Sequence, residues 1–178
     1  MKLSRTSSKL FALAALVLLA LPLQADAPEA GAYTARGITI KFPINWRIEA
    51  VSSSASFVIA RAPEADKDDS GAFYANINIT ATRAGKVDGA AAQALNQKNL
   101  PNYKPVEEPA AVTINGLEGT TFGGTFSLKS TKLRNRQSLL TTDKAGYVIT
   151  ITTLETHWQK HAPTAEAAIQ TLRLASEK

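Results

Sequence analysis

The chain has 178 residues, 44% of them hydrophobic and 20% charged, and no cysteine. That length suits one domain with a core of its own, while the lack of cysteine excludes disulfide staples and a lipid attached through an N-terminal Cys. The formal charge is +5, but Lys2, Arg5 and Lys9 supply three of those charges at the extreme N-terminus, so the remainder is nearly neutral and gives no electrostatic ground for nucleic-acid binding.

The same three cations precede an apolar run from Leu10 to Leu21, closed by Pro22, and Gln24-Ala25-Asp26-Ala27 offers small residues to a peptidase. This is the pattern of an export signal, and the run is shorter than the roughly 20 residues of a membrane span. Residues 1–25 are therefore expected to be a signal peptide, cut after Ala25 or Ala27. Residues 26–34 are expected to be a flexible lead-in and residues 35–178 one domain, exported to the periplasm or secreted, with no membrane span after cleavage.

Ile38, Ile40 and Phe42 alternate with Thr39 and Lys41, which predicts a strand with one apolar face, ended or bent by Pro43. Trp46 and Ile48 begin a second extended piece, and Phe57 to Ala60 is an apolar run of strand length. Ala62 to Gly71 is rich in Pro, Asp, Lys and Ser and predicts a solvated connection. Phe73, Ala75, Ile77 and Ile79 then alternate with polar residues, the clearest two-faced strand in the chain. Asp88 can cap a helix whose Ala91, Ala94 and Leu95 share one side, stopped by Pro101.

A strand is predicted around Ala111 to Ile114, turning at Asn115-Gly116, a pair suited to left-handed turn geometry. Phe122, Phe126 and Leu128 share the face of the next strand, where Gly123-Gly124 predicts a bend or bulge. Leu133 to Thr142 and Tyr147 to Leu154 flank Asp143-Lys144-Ala145-Gly146 and read as a hairpin. Thr164 can cap a closing helix with an Ala165, Ala168, Ile169 and Leu172 stripe. Closely spaced strands with few crossovers make the class α+β: a mostly antiparallel sheet flanked by helices.

Several strings carry a resemblance. Gly37-Ile38-Thr39-Ile40-Lys41-Phe42-Pro43 with Trp46, Ile114-Asn115-Gly116 before a strand holding Phe122 and Phe126, Gly146-Tyr147-Val148-Ile149-Thr150, and Ala168-Ile169-Gln170-Thr171-Leu172 resemble the PsbP/DcrB/Mog superfamily. The resemblance implies a central antiparallel sheet between helices, an α/β/α sandwich, and a job in binding or assembly rather than catalysis. It includes an extrinsic photosystem II subunit, exported bacterial envelope proteins and a nuclear import factor.

Three constellations could carry chemistry. His157 and His161 are four apart, so a helix would place both imidazoles on one face as two metal ligands require; Lys160 between them and Pro163 just beyond favour instead a short solvated helix. Asp66, Asp68 and Asp69 before Gly71 imitate the start of a calcium loop, but Ile77 stands where such a loop needs a bidentate Glu, and a charged turn is the simpler reading. Lys132, Arg134 and Arg136 recur at intervals of two, so a strand would display all three on one face, either to an anionic partner or simply to water.

Glu107 and Glu108 point to opposite sides of a strand and cannot act as an acid and base pair. No Gly-x-Ser-x-Gly elbow or phosphate-cradling loop occurs in the chain. The expectation is a non-catalytic exported accessory or assembly protein of the cell envelope, without a cofactor, whose partner is an envelope protein or an anionic surface component. The alternatives are a photosystem II extrinsic subunit with a calcium-dependent role, and a small hydrolase whose site is assembled from distant residues.

Overall fold

The structure, a computed structural model, describes residues 32–51, 56–83 and 88–175; the expected signal peptide at residues 1–25 lies outside these. The centre is a seven-stranded sheet. In chain order its strands are β3 (Arg47–Ala50), β4 (Ser56–Arg61), β7 (Asn76–Arg83), β8 (Lys104–Ile114), β9 (Leu117–Leu128), β10 (Thr131–Thr141) and β11 (Ala145–Leu154), arranged β3-β4-β7-β11-β10-β9-β8. Each neighbouring pair is antiparallel, as the short connections of β3–β4, β8–β9, β9–β10 and β10–β11 require.

A second sheet joins β1 (Ala32–Ala35), β2 (Ile38–Lys41) and β12 (Arg173–Leu174) in the order β1-β2-β12. The lead-in expected to be flexible over residues 26–34 is thus strand from Ala32 on, because its backbone pairs with that of β2. The expected solvated connection at Ala62 to Gly71 contains most of a small hairpin, β5 (Asp66–Asp68) and β6 (Gly71–Phe73).

The two helices cover side chains of opposite register. α2 (Trp158–Ile169) packs with Ile77, Ile79, Ile149, Ile151 and Leu140, together with Ile38, Ile40 and Phe42 from β2 and its exit. α1 (Gly89–Asn99) sets Ala92 against Phe122, Leu139 and Val148, which alternate with that first set along β10 and β11. The molecule is therefore α+β, and among the described residues no helix is long and apolar enough to cross a membrane.

Both helices depart from the expected detail. Asp88 caps α1 by accepting from the Ala90 and Ala91 amides at 2.9 and 3.4 Å, but Ala91 and Ala94 face solvent while Gly89 and Gln93 are buried. The inward face is polar because the sheet beneath offers hydrogen-bonding groups: Gln93 donates to the Glu107 carbonyl at 2.9 Å and Asn96 to Gln137 Oε1 at 3.1 Å. α2 begins at Trp158, after a single 3-10 turn at Glu155–His157, and runs through Pro163. The expected cap at Thr164 is therefore mid-helix, and the short solvated helix at 157–161 is instead the start of α2. The proline forgoes one backbone bond near the start of the helix, while Trp158 and Ala162 on the same turns are buried to within 4% and hold the helix to the sheet.

The expected bend at Gly123-Gly124 is also displaced. β9 runs straight past β10 in continuous register, and the irregularities lie in β8, between Pro105 and Glu107 and between Glu107 and Ala110. Edge strand β8 tolerates the prolines. The glycines serve close approach: a Cβ on Gly124 would sit 2.4 Å from the Tyr103 ring and 2.6 Å from the Lys104 carbonyl oxygen.

Asn115-Gly116 forms the β8–β9 turn with φ of +47° and +79°, the left-handed pair suited to a tight hairpin. Asn115 has a second task. Its side-chain amide donates to the carbonyls of Gln170 and Leu172 at 2.7 and 2.9 Å, taking up groups left open where α2 ends. Asn115→Gly should keep the turn yet lower stability by about 1 kcal/mol through loss of these bonds, read as a lower urea midpoint at unchanged m. An unchanged midpoint would assign the residue to turn geometry alone.

Candidate functional site

The strand register brings Lys132, Arg134 and Arg136 to one face of β10, and the structure then separates them. Lys132 is exposed, whereas Arg134 and Arg136 are partly buried. Glu107, from β8, lies between the two arginines: Arg134 Nη2 donates to its Oε1 and Arg136 Nε to its Oε2, each at 2.6 Å. Arg136 Nη1 also pairs with Glu166 of α2. Both guanidinium groups lie over the Trp158 ring, 4.5 and 5.5 Å from its centroid, within the range of a cation–π attraction.

Gly123 makes this arrangement possible. On β9 it stands opposite both Arg136 of β10 and Glu107 of β8, and a Cβ there would lie 3.2 Å from the Glu107 carboxyl carbon. Burial pushes the Glu107 carboxyl up, but hydrogen bonds and charge from Arg136 and Arg134 outweigh it and hold the group below the usual carboxylate range. Arg136 is held above its usual value: burial opposes its charge, and Glu107 and Glu166 more than offset that. Two arginines and two glutamates therefore make a neutralised network beneath α2. Sequence inspection missed Glu107 and Trp158 as its members, since no local pattern ties a β8 carboxylate or a helix-start indole to arginines on β10.

The other two constellations meet each other. The β5–β6 hairpin lies against the start of α2, where buried Asp66 accepts from Lys160 Nζ at Oδ1 and from His161 Nε2 at Oδ2, both at 2.5 Å. Asp68 accepts from the Ser70 amide and hydroxyl at 2.8 and 2.6 Å and from the Thr156 hydroxyl at 2.6 Å, and Thr156 in turn contacts His157 Nδ1 at 3.0 Å. The edge of the His161 ring meets Trp46, centroids 6.1 Å apart. Asp69 is exposed.

Each acidic residue of the calcium-like string that is engaged thus turns to a donor of its own rather than toward a shared centre. Among the described residues no three of His, Asp and Glu gather as metal ligands would. Hydrogen bonds from Ser70 and Thr156 hold the Asp68 carboxyl at about 2. Burial pushes Asp66 up, and the bonds from Lys160 and His161 outweigh this and hold it low.

These lowered carboxyl values fix the sign of the acid response. Glu107, Asp66 and Asp68 bind protons more readily when unfolded, so their contribution is complete above the unfolded carboxylate range and is lost as pH falls through their folded values. Glu107→Gln should lower stability at pH 7 by about 2 kcal/mol, leaving two half-buried guanidinium groups short of a counter-charge, and should flatten the fall in stability between neutral and acid pH. Urea titrations across pH test this, and a variant with the wild-type slope would refute it. His161→Ala should speed amide hydrogen exchange across Asp66–Phe73 while leaving β9 and β10 protected; exchange unchanged in the hairpin would show that the clasp does not hold it.

No protein-family model matches this sequence, and no curated protein does either. Solved structures do. LpqN of Mycobacterium tuberculosis, described as involved in cell envelope biogenesis, superposes with a TM-score of 0.61 at 16% identity, covering 78% of this chain and 83% of that one. PA94 of Pseudomonas aeruginosa, a protein of unknown function, gives 0.56 at 21% identity over 84% of this chain and all of that one. Cyanobacterial PsbP from Synechocystis gives 0.60 at 12% identity, covering 87% and 99%. At these identities the likeness is one of fold, and on it, together with the strings quoted above, the chain has the PsbP/DcrB-like fold.

Proposed function

We propose that the chain is an exported, non-catalytic accessory or assembly protein of the cell envelope that works by binding through its surface. In this reading α1 and α2 are the outer layers of an α/β/α arrangement and the sheet supplies a rigid frame. The observation that carries it is the state of the charged groups. A general acid or base is usually held near the working pH in an open cleft, whereas Glu107 and Asp66 are held low by cations of the same chain.

The envelope role is supported by the leader pattern of residues 1–25 and by the likeness to LpqN, whose description names envelope biogenesis. The partner in this reading is an envelope protein or an anionic component of the surface.

Expression with and without residues 1–25 is the test of location: the full chain should be recovered outside the cytoplasm shortened by 25 or 27 residues, and the truncated chain should stay inside. Recovery of full-length material in the cytoplasm would end the export reading. For the absence of catalysis, generic ester, phosphate and glycoside substrates should show no turnover. Turnover abolished by His161→Ala or Glu107→Gln in a still-folded protein would replace the binder with an enzyme.

A further inference from the structure

The arginines of the stripe on β10 are consumed by Glu107, Glu166 and Trp158, but two other cations are not. Lys41 of β2 and Arg173 of β12 are both exposed, and neither takes part in an ion pair among the described residues. Both line one open pocket of about 420 Å³, whose other walls are Thr39, Thr171 and Asn115. No acidic residue lines it. Sequence inspection gave no sign of it, because its parts come from residues 39–41, 115 and 171–173.

The pocket is rigidly built. Arg173 stands opposite Thr39 in the β12–β2 register, and strand alternation puts Lys41 on the same side, away from the buried Ile38 and Ile40. The Lys41 amide donates to Thr171 Oγ1 at 2.8 Å, Asn115 is held by its two bonds to the end of α2, and the Thr39 and Thr34 hydroxyls bond each other at 2.9 Å. The Ala175 amide closes the strand end on the Gly37 carbonyl at 2.9 Å. Two exposed cationic side chains thus stand on walls whose backbone is already fixed, which limits the ordering cost of engaging a ligand to the side chains themselves.

Asn115 also takes up the carbonyls of Gln170 and Leu172, at and just beyond the end of α2. The Thr171 hydroxyl donates to the Ala168 carbonyl at 2.6 Å and the Thr39 hydroxyl is engaged with Thr34, so what remains on offer is positive: an ammonium and a guanidinium fork able to hold two oxygens side by side. We propose that this pocket binds an oxyanion, a phosphate or carboxylate group, borne either by a soluble molecule or by a lipid head group at the envelope surface. The proposal rests on the binding-protein reading and gives it a site and a ligand chemistry.

The test uses the full chain as recovered from the cells that express it, with inorganic phosphate, citrate, vesicles containing phosphatidylglycerol and vesicles of phosphatidylcholine alone as probes. Binding to phosphate or citrate should be in the millimolar range, and Lys41→Gln with Arg173→Gln should weaken it about tenfold or more, since two charge-assisted contacts are lost. Amide shifts should cluster at residues 39–41, 115 and 171–173, and Lys132→Gln should change nothing.

Binding to citrate or phosphate alone identifies a soluble ligand. Retention on the phosphatidylglycerol vesicles that the double variant loses identifies a head group. No binding to any of the anionic probes, equal binding by the double variant, or loss on Lys132→Gln overturns the proposal. A partner that crosslinks equally well to the double variant would overturn the site while leaving the binding-protein reading in place.

Discussion

The central strands of the sheet are buried along both faces and have no wet side there, and that constraint governs much of this molecule. In β11 every residue from Gly146 to Leu154 is buried, and in β7 so is every residue from Asn76 to Thr80. Period-two alternation still sends alternate side chains each way, so polar residues on the central strands must find partners inside the protein or leave groups unpaired at about 1–3 kcal/mol each. Asn96 bonded to Gln137, Gln93 bonded to the β8 backbone, and Glu107 clasped by two arginines are all answers to this demand.

The arginine network shows how charge, shape and topology are coupled. Arg134 and Arg136 lie on the α2 side of β10, so a water-facing basic stripe cannot survive there once the helix is in place. Neutralisation needs a carboxylate from another element, and β8, two strands away across β9, delivers one because its irregular pairing reseats Glu107 opposite Gly123. A side chain at Gly123 would crowd that carboxylate. Trp158 then lies against both guanidinium groups, joining the ion network to the apolar core that holds α2. The same helix start carries Lys160 and His161, which hold the β5–β6 hairpin through Asp66.

Much of the fold was legible in the sequence because its signals are local. The hairpin around Asp143–Gly146, the Asn115-Gly116 turn and the apolar stripe of α2 from Ala165 to Ile169 each depend on residues within a few positions of one another and correspond to observed elements, whereas the alternation at Phe73–Ile79 is divided between the end of β6 and β7, whose polar residues Asn76, Asn78 and Thr80 are buried as well. The failures have a common cause in tertiary context. Ala91 and Ala94 face water because the elements beneath α1 offer hydrogen-bond partners to Gln93 and Asn96 instead; Pro163 sits inside a helix because Trp158 anchors the turns before it; and Asp66 is buried because Lys160 and His161, 94 and 95 residues away, donate to it.

Candidate sites were harder still to read. The basic residues do share one strand, but His157 belongs to the 3-10 turn before α2 and Asp66 and Asp68 to strand β5, and the partners that set their chemistry lie on other elements: Glu107 for the arginines, Asp66 for His161, Thr156 for Asp68. A run of charges in sequence states what a surface could offer; only the fold states what is left after internal pairing. Here the unpaired charge gathered in one pocket is not that of the two stripe arginines but that of Lys41 and Arg173, from β2 and β12. The β12–β2 pairing is also what sets them side by side, so their juxtaposition depends on those two strands having met.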